Sequence, residues 1–129
     1  MGKRIMIVDD AAVMRIMLKQ LFEKNGFEVV AEVSNGADAV ERYEILRPDL
    51  VTMDITMPDM DGITAVKEII RIDPGARIIM CSAMGQVDKV KAAVLAGAKS
   101  FLVKPLKPER VLQTVNQVLG LAEAPATKP

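Results

Sequence analysis

The chain contains no tryptophan and only four other aromatic residues, three Phe and one Tyr, so aromatics make up 3% of its 129 residues. That scarcity argues against a stacking platform for nucleobases. An excess of charge is missing too. Lys plus Arg and Asp plus Glu number 17 each, leaving no global field to recruit nucleic acid or an acidic membrane surface. A single cysteine, Cys81, excludes an internal disulfide and suits a reducing compartment. Met1-Gly2-Lys3-Arg4 leads into only four apolar residues, Ile5–Val8, before two aspartates, which is no signal peptide. No apolar run approaches the length of a membrane span. These absences predict a cytosolic protein.

What the chain does have is apolar content, half of all residues, in a length that fits one domain. Strand-type and helix-type segments alternate five times. Ile5–Val8 is a continuous apolar run with β-branched members, the signature of a strand buried on both faces. Phe27–Val33, Leu50–Met53, Arg77–Cys81 and Ser100–Val103 read as four more strands. Between and after them, apolar residues recur at helical spacing: Met14, Met17, Leu18, Leu21; Ala39, Val40, Tyr43, Leu46; Ile63, Val66, Ile69, Ile70; Val87, Val90, Val94; and Val111, Leu112, Val115, Val118, Leu119. Asn25-Gly26, Arg47-Pro48, Asp73-Pro74-Gly75 and Gly97 supply the stops, and Pro108 introduces the last helix.

Short links between alternating elements imply right-handed crossovers, hence an α/β fold with a doubly wound parallel sheet. For five βα units the flavodoxin-like order 2-1-3-4-5 is favoured, and a (β/α)₈ barrel is excluded by length. Residues 1–120 are predicted to form the domain, and the Ala- and Pro-rich stretch 121–129 a frayed tail.

The hydrophobic runs end at Asp9-Asp10, Asp49, Asp54, Ser82 and Lys104. Ligands of open α/β sheets bind at the carboxyl ends of strands, and order 2-1-3-4-5 makes strands 1 and 3 neighbours across the switch point. Asp10 and Asp54 then face each other there. Three carboxylates in one crevice repel one another unless a cation intervenes, and Mg²⁺, an oxygen-seeking ion that pairs carboxylates with phosphate, fits. For one of Asp9 and Asp10, helix capping is an equal alternative; both, together with Asp54, exceed what a cap needs. Asp54 is a candidate nucleophile toward phosphorus, with a turn-initiating Asp as the plainer reading. Asp61 reads as a cap of the third helix. Taken singly, Ser82 is a turn residue, Lys104 a solvated strand end, Phe101 sheet packing and Cys81 core. Taken together, Ser82 and Lys104 offer a hydroxyl and a point charge to a phosphoryl group.

These residues carry a resemblance. Ile7-Val8-Asp9-Asp10, Asp54-Ile55-Thr56-Met57-Pro58 with Gly62, Ser82-Ala83, and Phe101 through Lys104-Pro105 are similar to the motifs of the receiver domains of two-component response regulators. The similarity runs from about Lys3 to Leu119 and is greatest to the stand-alone chemotaxis type, through Asp10–Arg15, Thr52–Pro58 and Cys81–Gln86. It implies phosphorylation of Asp54 by a sensor histidine kinase. It implies Mg²⁺ held by Asp10, Asp54 and the backbone carbonyl of Thr56, with Asp9 acting largely through water. Lys104 would pair with the phosphoryl oxygens, and Lys104-Pro105 would be cis. Ser82 and Phe101 take the two switch positions; Phe101 lacks the hydroxyl of the tyrosine often found there. Thr56 and Met84 fall at the positions that tune phosphoryl lifetime.

The resemblance further implies a cytoplasmic monomer that binds neither nucleic acid nor membrane. Its output would go to a flagellar motor switch protein, with a phosphatase as a further partner, through a face including Val87, Lys91, Leu95, Leu106 and Val111. A phosphorelay intermediate is the alternative within the family. A Mg²⁺-dependent aspartyl-phosphate phosphatase, as in the haloacid dehalogenase family, is the alternative outside it. That chemistry needs a general acid two residues past the nucleophile, where this chain has Thr56. A flavodoxin-type redox role fits the fold but lacks aromatics at the crevice.

Overall fold

The computed structural model describes residues 2–121. Five strands, β1 (Arg4–Val8), β2 (Glu28–Val33), β3 (Leu50–Asp54), β4 (Ile78–Ser82) and β5 (Ser100–Val103), alternate with five helices. The helices are α1 (Ala12–Lys24), α2 (Gly36–Leu46), α3 (Gly62–Ile72), α4 (Val87–Ala96) and α5 (Pro108–Leu119). The strands form one parallel sheet in the order β2-β1-β3-β4-β5, as the alternating pattern predicts.

The sheet's two faces bury separate cores because side chains alternate along each strand. Met6, Val8, Val51, Met53, Ile78 and Met80 pack against Ala39 and Tyr43 of α2, Val66 and Ile69 of α3, and Val90 and Ala93 of α4. Ile5, Ile7, Leu50, Ile79 and Cys81 pack on the other face, against Leu18 and Phe22 of α1 and Val111, Val115 and Leu119 of α5. β3 and β4 are buried along their whole length, which is why they read as unbroken apolar runs.

Several helix boundaries are set by recognisable chemistry. The Asn35 side chain accepts the Asp38 N–H at the start of α2, and Asp61 accepts the Thr64 N–H at the start of α3, each at 2.8 Å. Pro108 opens α5, and Gly120, in the left-handed region, closes it. The Leu121 N–H donates to the Asn116 carbonyl at 2.8 Å, so the first residue of the expected tail is fastened to α5. Residues 122–129 lie outside the described residues.

Some readings shift. Phe27 precedes β2 and sits edge-on to Phe22, ring centroids 6.0 Å apart. Met17 is 39% exposed, and Phe22 takes the buried place on α1. The fourth strand lies one residue later than expected. Asp49 is a correction: it precedes β3 at the amino edge, where its carboxylate accepts the Arg4 N–H at 2.7 Å, far from the crevice end of the strands. A register shift between Ile5 and Met6 in the β1–β2 ladder left no trace in the residue pattern.

Two glycines set how closely the β3–α3 segment folds over the sheet's carboxyl edge. A Cβ at Gly62 would press into the Asp54 carbonyl, and one at Gly36 into the Met60 carbonyl. Gly62→Ala is therefore expected to destabilise by about 1–3 kcal/mol, the usual cost of overpacking. Gly75→Ala, where a Cβ meets only ordinary contacts, should stay within about 0.5 kcal/mol. Urea unfolding followed by circular dichroism measures both; equal stability of the two variants would contradict the close approach.

Candidate functional site

At the carboxyl edge, β1 ends beside β3, and the residues leaving them converge. Asp9 follows β1 and is 2% exposed; Asp54 ends β3 and is 7% exposed. Asp10 is exposed. One carboxylate oxygen from each of the three lies within 4.8 Å of the others. The alternative of helix capping fails on geometry. Ala11 is the N-cap of α1 and has no side-chain cap bond, while Asp9 Oδ1 accepts the Ala11 N–H at 2.8 Å. Asp9 is held from both sides, because its own N–H donates to the Val33 carbonyl at 3.0 Å and its carbonyl accepts from Arg15 Nη1 at 2.7 Å.

Among the described residues, one ammonium reaches this cluster. Lys104 Nζ lies 3.2 Å from Asp9 Oδ2 and 3.4 Å from Asp54 Oδ1. The Lys104 N–H donates to the Ser82 carbonyl at 2.7 Å, which ties the residue after β5 to the end of β4. The Lys104–Pro105 bond is cis, as the resemblance implied. Ser82, 1% exposed, directs its hydroxyl to the Leu102 carbonyl over a long 3.4 Å. A hydrogen bond at that length is weak, so the hydroxyl is loosely committed.

The electrostatics combine burial with a charge mismatch, three carboxylates against one ammonium among the described residues. Burial, and next the charge of Asp9, push Asp54 up to about 6 despite the opposing pull of Lys104. Burial works against the Lys104 ammonium, but Asp54 and Asp9 together outweigh it and hold its pKa above the ordinary lysine value. Burial pushes the adjacent Cys81 thiol up to about 12, so it is no nucleophile at neutral pH. An all-oxygen cluster with surplus negative charge could hold a hard divalent cation, and the residues present fit Mg²⁺.

The structure thus brings together Asp9, Asp10, Asp54 and Lys104, with Ser82 at the end of the next strand. Thr56 lies exposed two residues beyond Asp54, and Met84, 79% exposed, stands in the β4–α4 loop. Phe101 is 47% exposed on β5, alongside a cavity of about 410 Å³ lined by Ser82, Met84, Gln86, Val87, Val90 and Val103. Val111 is a correction to the expected output face: it is 1% exposed, packed beneath α5 against Ile7 and Ile79. Val87, Lys91 and Leu95 are exposed, and Leu106 is half-buried. Two residues escaped the sequence reading as site components. Arg15 grips the Asp9 carbonyl, and Gln86 bonds both Ala83 and Thr56. Their polar ends meet backbone or neighbouring loops, contacts that spacing alone does not reveal.

The raised Asp54 pKa has a consequence for stability. The folded state holds this proton more tightly than the unfolded chain, where an aspartyl pKa is near 4. Without divalent ions, Asp54's favourable contribution is therefore complete below about pH 4 and is lost as pH rises through about 6. Asp54→Asn should become more stable than the parent by about 2–3 kcal/mol at pH 7.5, with the gap closing at pH 4. Chelator-treated samples unfolded in urea at several pH values check this. A gap that does not change with pH would contradict it.

Comparison with known proteins agrees with this geometry. Residues 5–116 match the family model described as the response regulator receiver domain. The chain is 65% identical to the chemotaxis protein CheY of Bacillus subtilis, over 93% of this chain and all of that protein. It is 60% identical to the CheY of Thermotoga maritima, over 92% of this chain and 98% of that one. Among solved structures it resembles the CheY of Borrelia burgdorferi, crystallised with CheX, beryllofluoride and Mg²⁺, at a TM-score of 0.86 and 42% identity. That match covers 90% of this chain and 88% of the other. With the βα order, the acidic cluster and these relatives in agreement, the chain belongs to the response regulator receiver domain family.

Proposed function

We propose that the chain is a phosphorylation-controlled switch of the chemotaxis type, acting as a cytoplasmic monomer. In this reading Asp54 takes a phosphoryl group from the phosphohistidine of a sensor kinase. One observation carries it: Asp54 sits nearly buried at a strand end, its pKa raised, between two more carboxylates and the Lys104 ammonium. An Asp54 oxygen forms the O–P bond as the histidine N–P bond breaks, and the imidazole nitrogen keeps the electron pair. Lys104 can follow the charge onto the transferred oxygens because it already lies 3.4 Å from Asp54. Asp10, Asp54 and the Thr56 carbonyl would hold Mg²⁺, with Asp9 acting largely through water, and the ion when bound neutralises charge on the phosphoryl oxygens. Thr56 and Met84, at the rim, would tune how long the phosphoryl group survives.

Output rests on Ser82 and Phe101. A charged acceptor on Asp54 offers the Ser82 hydroxyl a stronger bond than its 3.4 Å contact with Leu102. Movement of Ser82 toward it opens space for Phe101, now half-exposed beside the cavity, to turn inward and bury its ring. That repacking would reshape the face around Val87, Lys91 and Leu95, with Phe101 and Val103 beside it. The face would then accept an amphipathic segment of a flagellar motor switch protein, or a phosphatase of the CheX kind found with the Borrelia relative. Neither a nucleic-acid nor a membrane partner is part of this reading.

Acetyl phosphate with Mg²⁺ is expected to add one phosphoryl group to the protein and none to Asp54→Asn. Intact-mass measurement decides it, and full labelling of the variant would overturn the assignment of Asp54.

Mg²⁺ should also raise the melting temperature of the unphosphorylated protein. An ion that binds only the folded state stabilises by about 2.7 kcal/mol at a hundredfold excess over its dissociation constant. Asp10→Ala should lose most of that response, and should match or exceed the parent's stability without metal because a repulsion is relieved. Thermal scans by circular dichroism suit a chain without tryptophan; an undiminished Mg²⁺ shift in the variant would count against Asp10 as a ligand.

A further inference from the structure

The β4–α4 loop carries a side chain that neither the acidic cluster nor the switch pair accounts for. Gln86 is the N-cap of α4, yet its side chain makes no capping bond. It folds back instead. Its Oε1 accepts the Ala83 N–H at 2.7 Å, and its Nε2 donates to Thr56 Oγ1 at 3.0 Å. Gly85, at φ +86°, provides the left-handed turn between Ala83 and Gln86. Asp54 and Cys81 are register partners on β3 and β4, so Thr56 and Ala83 each lie two residues past that pair. The carboxamide therefore ties together the two loops that leave adjacent strands above Asp54.

Ala83 follows Ser82 directly, so its N–H is the next donor after the hydroxyl that the proposed switch directs at the phosphoryl group. In this structure that N–H is taken by Gln86. We propose that Gln86 is a positioning residue that holds the unphosphorylated state by occupying the Ala83 amide, and that a phosphoryl oxygen on Asp54 displaces it. The inference rests on Asp54 being the phosphoryl acceptor. A neutral carboxamide oxygen competes with a charged oxygen, and charged acceptors make bonds roughly twice as strong, so the amide changes partner. Gln86 also lines the cavity beside Phe101, together with Val87 and Val90 at the start of α4. Its release alters that wall independently of Ser82, giving the acidic cluster a second connection to the output face.

The test uses the whole chain with beryllofluoride and Mg²⁺ as the phosphoryl mimic, in the parent and in Gln86→Met, which keeps side-chain length and removes both hydrogen bonds. Gln86→Met should reach half-saturation at a roughly three- to tenfold lower beryllofluoride concentration, the change expected for one competing hydrogen bond removed. The Ala83 amide NMR signal gives a readout that a merely structural role would not produce. It should differ between the two proteins without beryllofluoride and coincide once both are saturated. Equal or weaker binding by Gln86→Met, or Ala83 signals that still differ at saturation, overturns the role of Gln86 alone. A parent protein that neither binds beryllofluoride nor is labelled by acetyl phosphate overturns the receiver reading and this inference together.

Discussion

Among the described residues, three carboxylates share one ammonium at the carboxyl edge of the sheet, and the rest of the site is organised around that shortfall of positive charge. Asp9 and Asp54 are almost wholly buried, so water cannot dissipate their repulsion, and Lys104 offsets only part of it. Burial first, and then the charge of Asp9, raise the pKa of Asp54. A site built this way is incomplete by itself: it favours whatever brings positive charge to oxygen ligands. The proposed phosphotransfer would use that property, since a phosphoryl group on Asp54 adds further negative charge at the same point and needs the same neutralisation.

The fold explains why the imbalance can persist. Each contributor hangs from a strand end that is fixed independently of it. Asp9 is bonded through its backbone to Val33 and Arg15, Lys104 is tied to Ser82, and Asp54 ends a strand with no exposed residue. Gly62 lets the following helix begin hard against the Asp54 carbonyl. Hydrophobic burial on both faces of the sheet supplies the stability that offsets the local repulsion. By contrast Ser82, with its long hydrogen bond, and half-exposed Phe101, the two residues to which the proposed function assigns the switch, are weakly held.

Much of this was legible in the residues, for identifiable reasons. Strands buried on both faces leave continuous apolar runs, and the alternation of those runs with helical periodicity leaves few topologies. Strand ends then place Asp9, Asp10, Asp54, Ser82 and Lys104 without any knowledge of side-chain contacts. What the sequence did not disclose depends on contacts between distant segments. Asp49 also borders a strand, but at its amino end, where it serves the Arg4 backbone. Val111 belongs by spacing to the apolar stripe of α5, and packing holds it in the core, away from the output face on which it was also expected. Gln86 reads as an ordinary polar residue before a helix; only the folded loop shows its carboxamide between Ala83 and Thr56.

Carboxyl-carbon NMR of Asp54, titrated with pH in the absence and presence of Mg²⁺, tests the central claim most directly. Burial together with the charge imbalance predicts a midpoint near 6 without metal, well above the ordinary aspartate value, and a downward displacement of about one unit or more when Mg²⁺ is added. A midpoint in the ordinary range that Mg²⁺ leaves unmoved would contradict it.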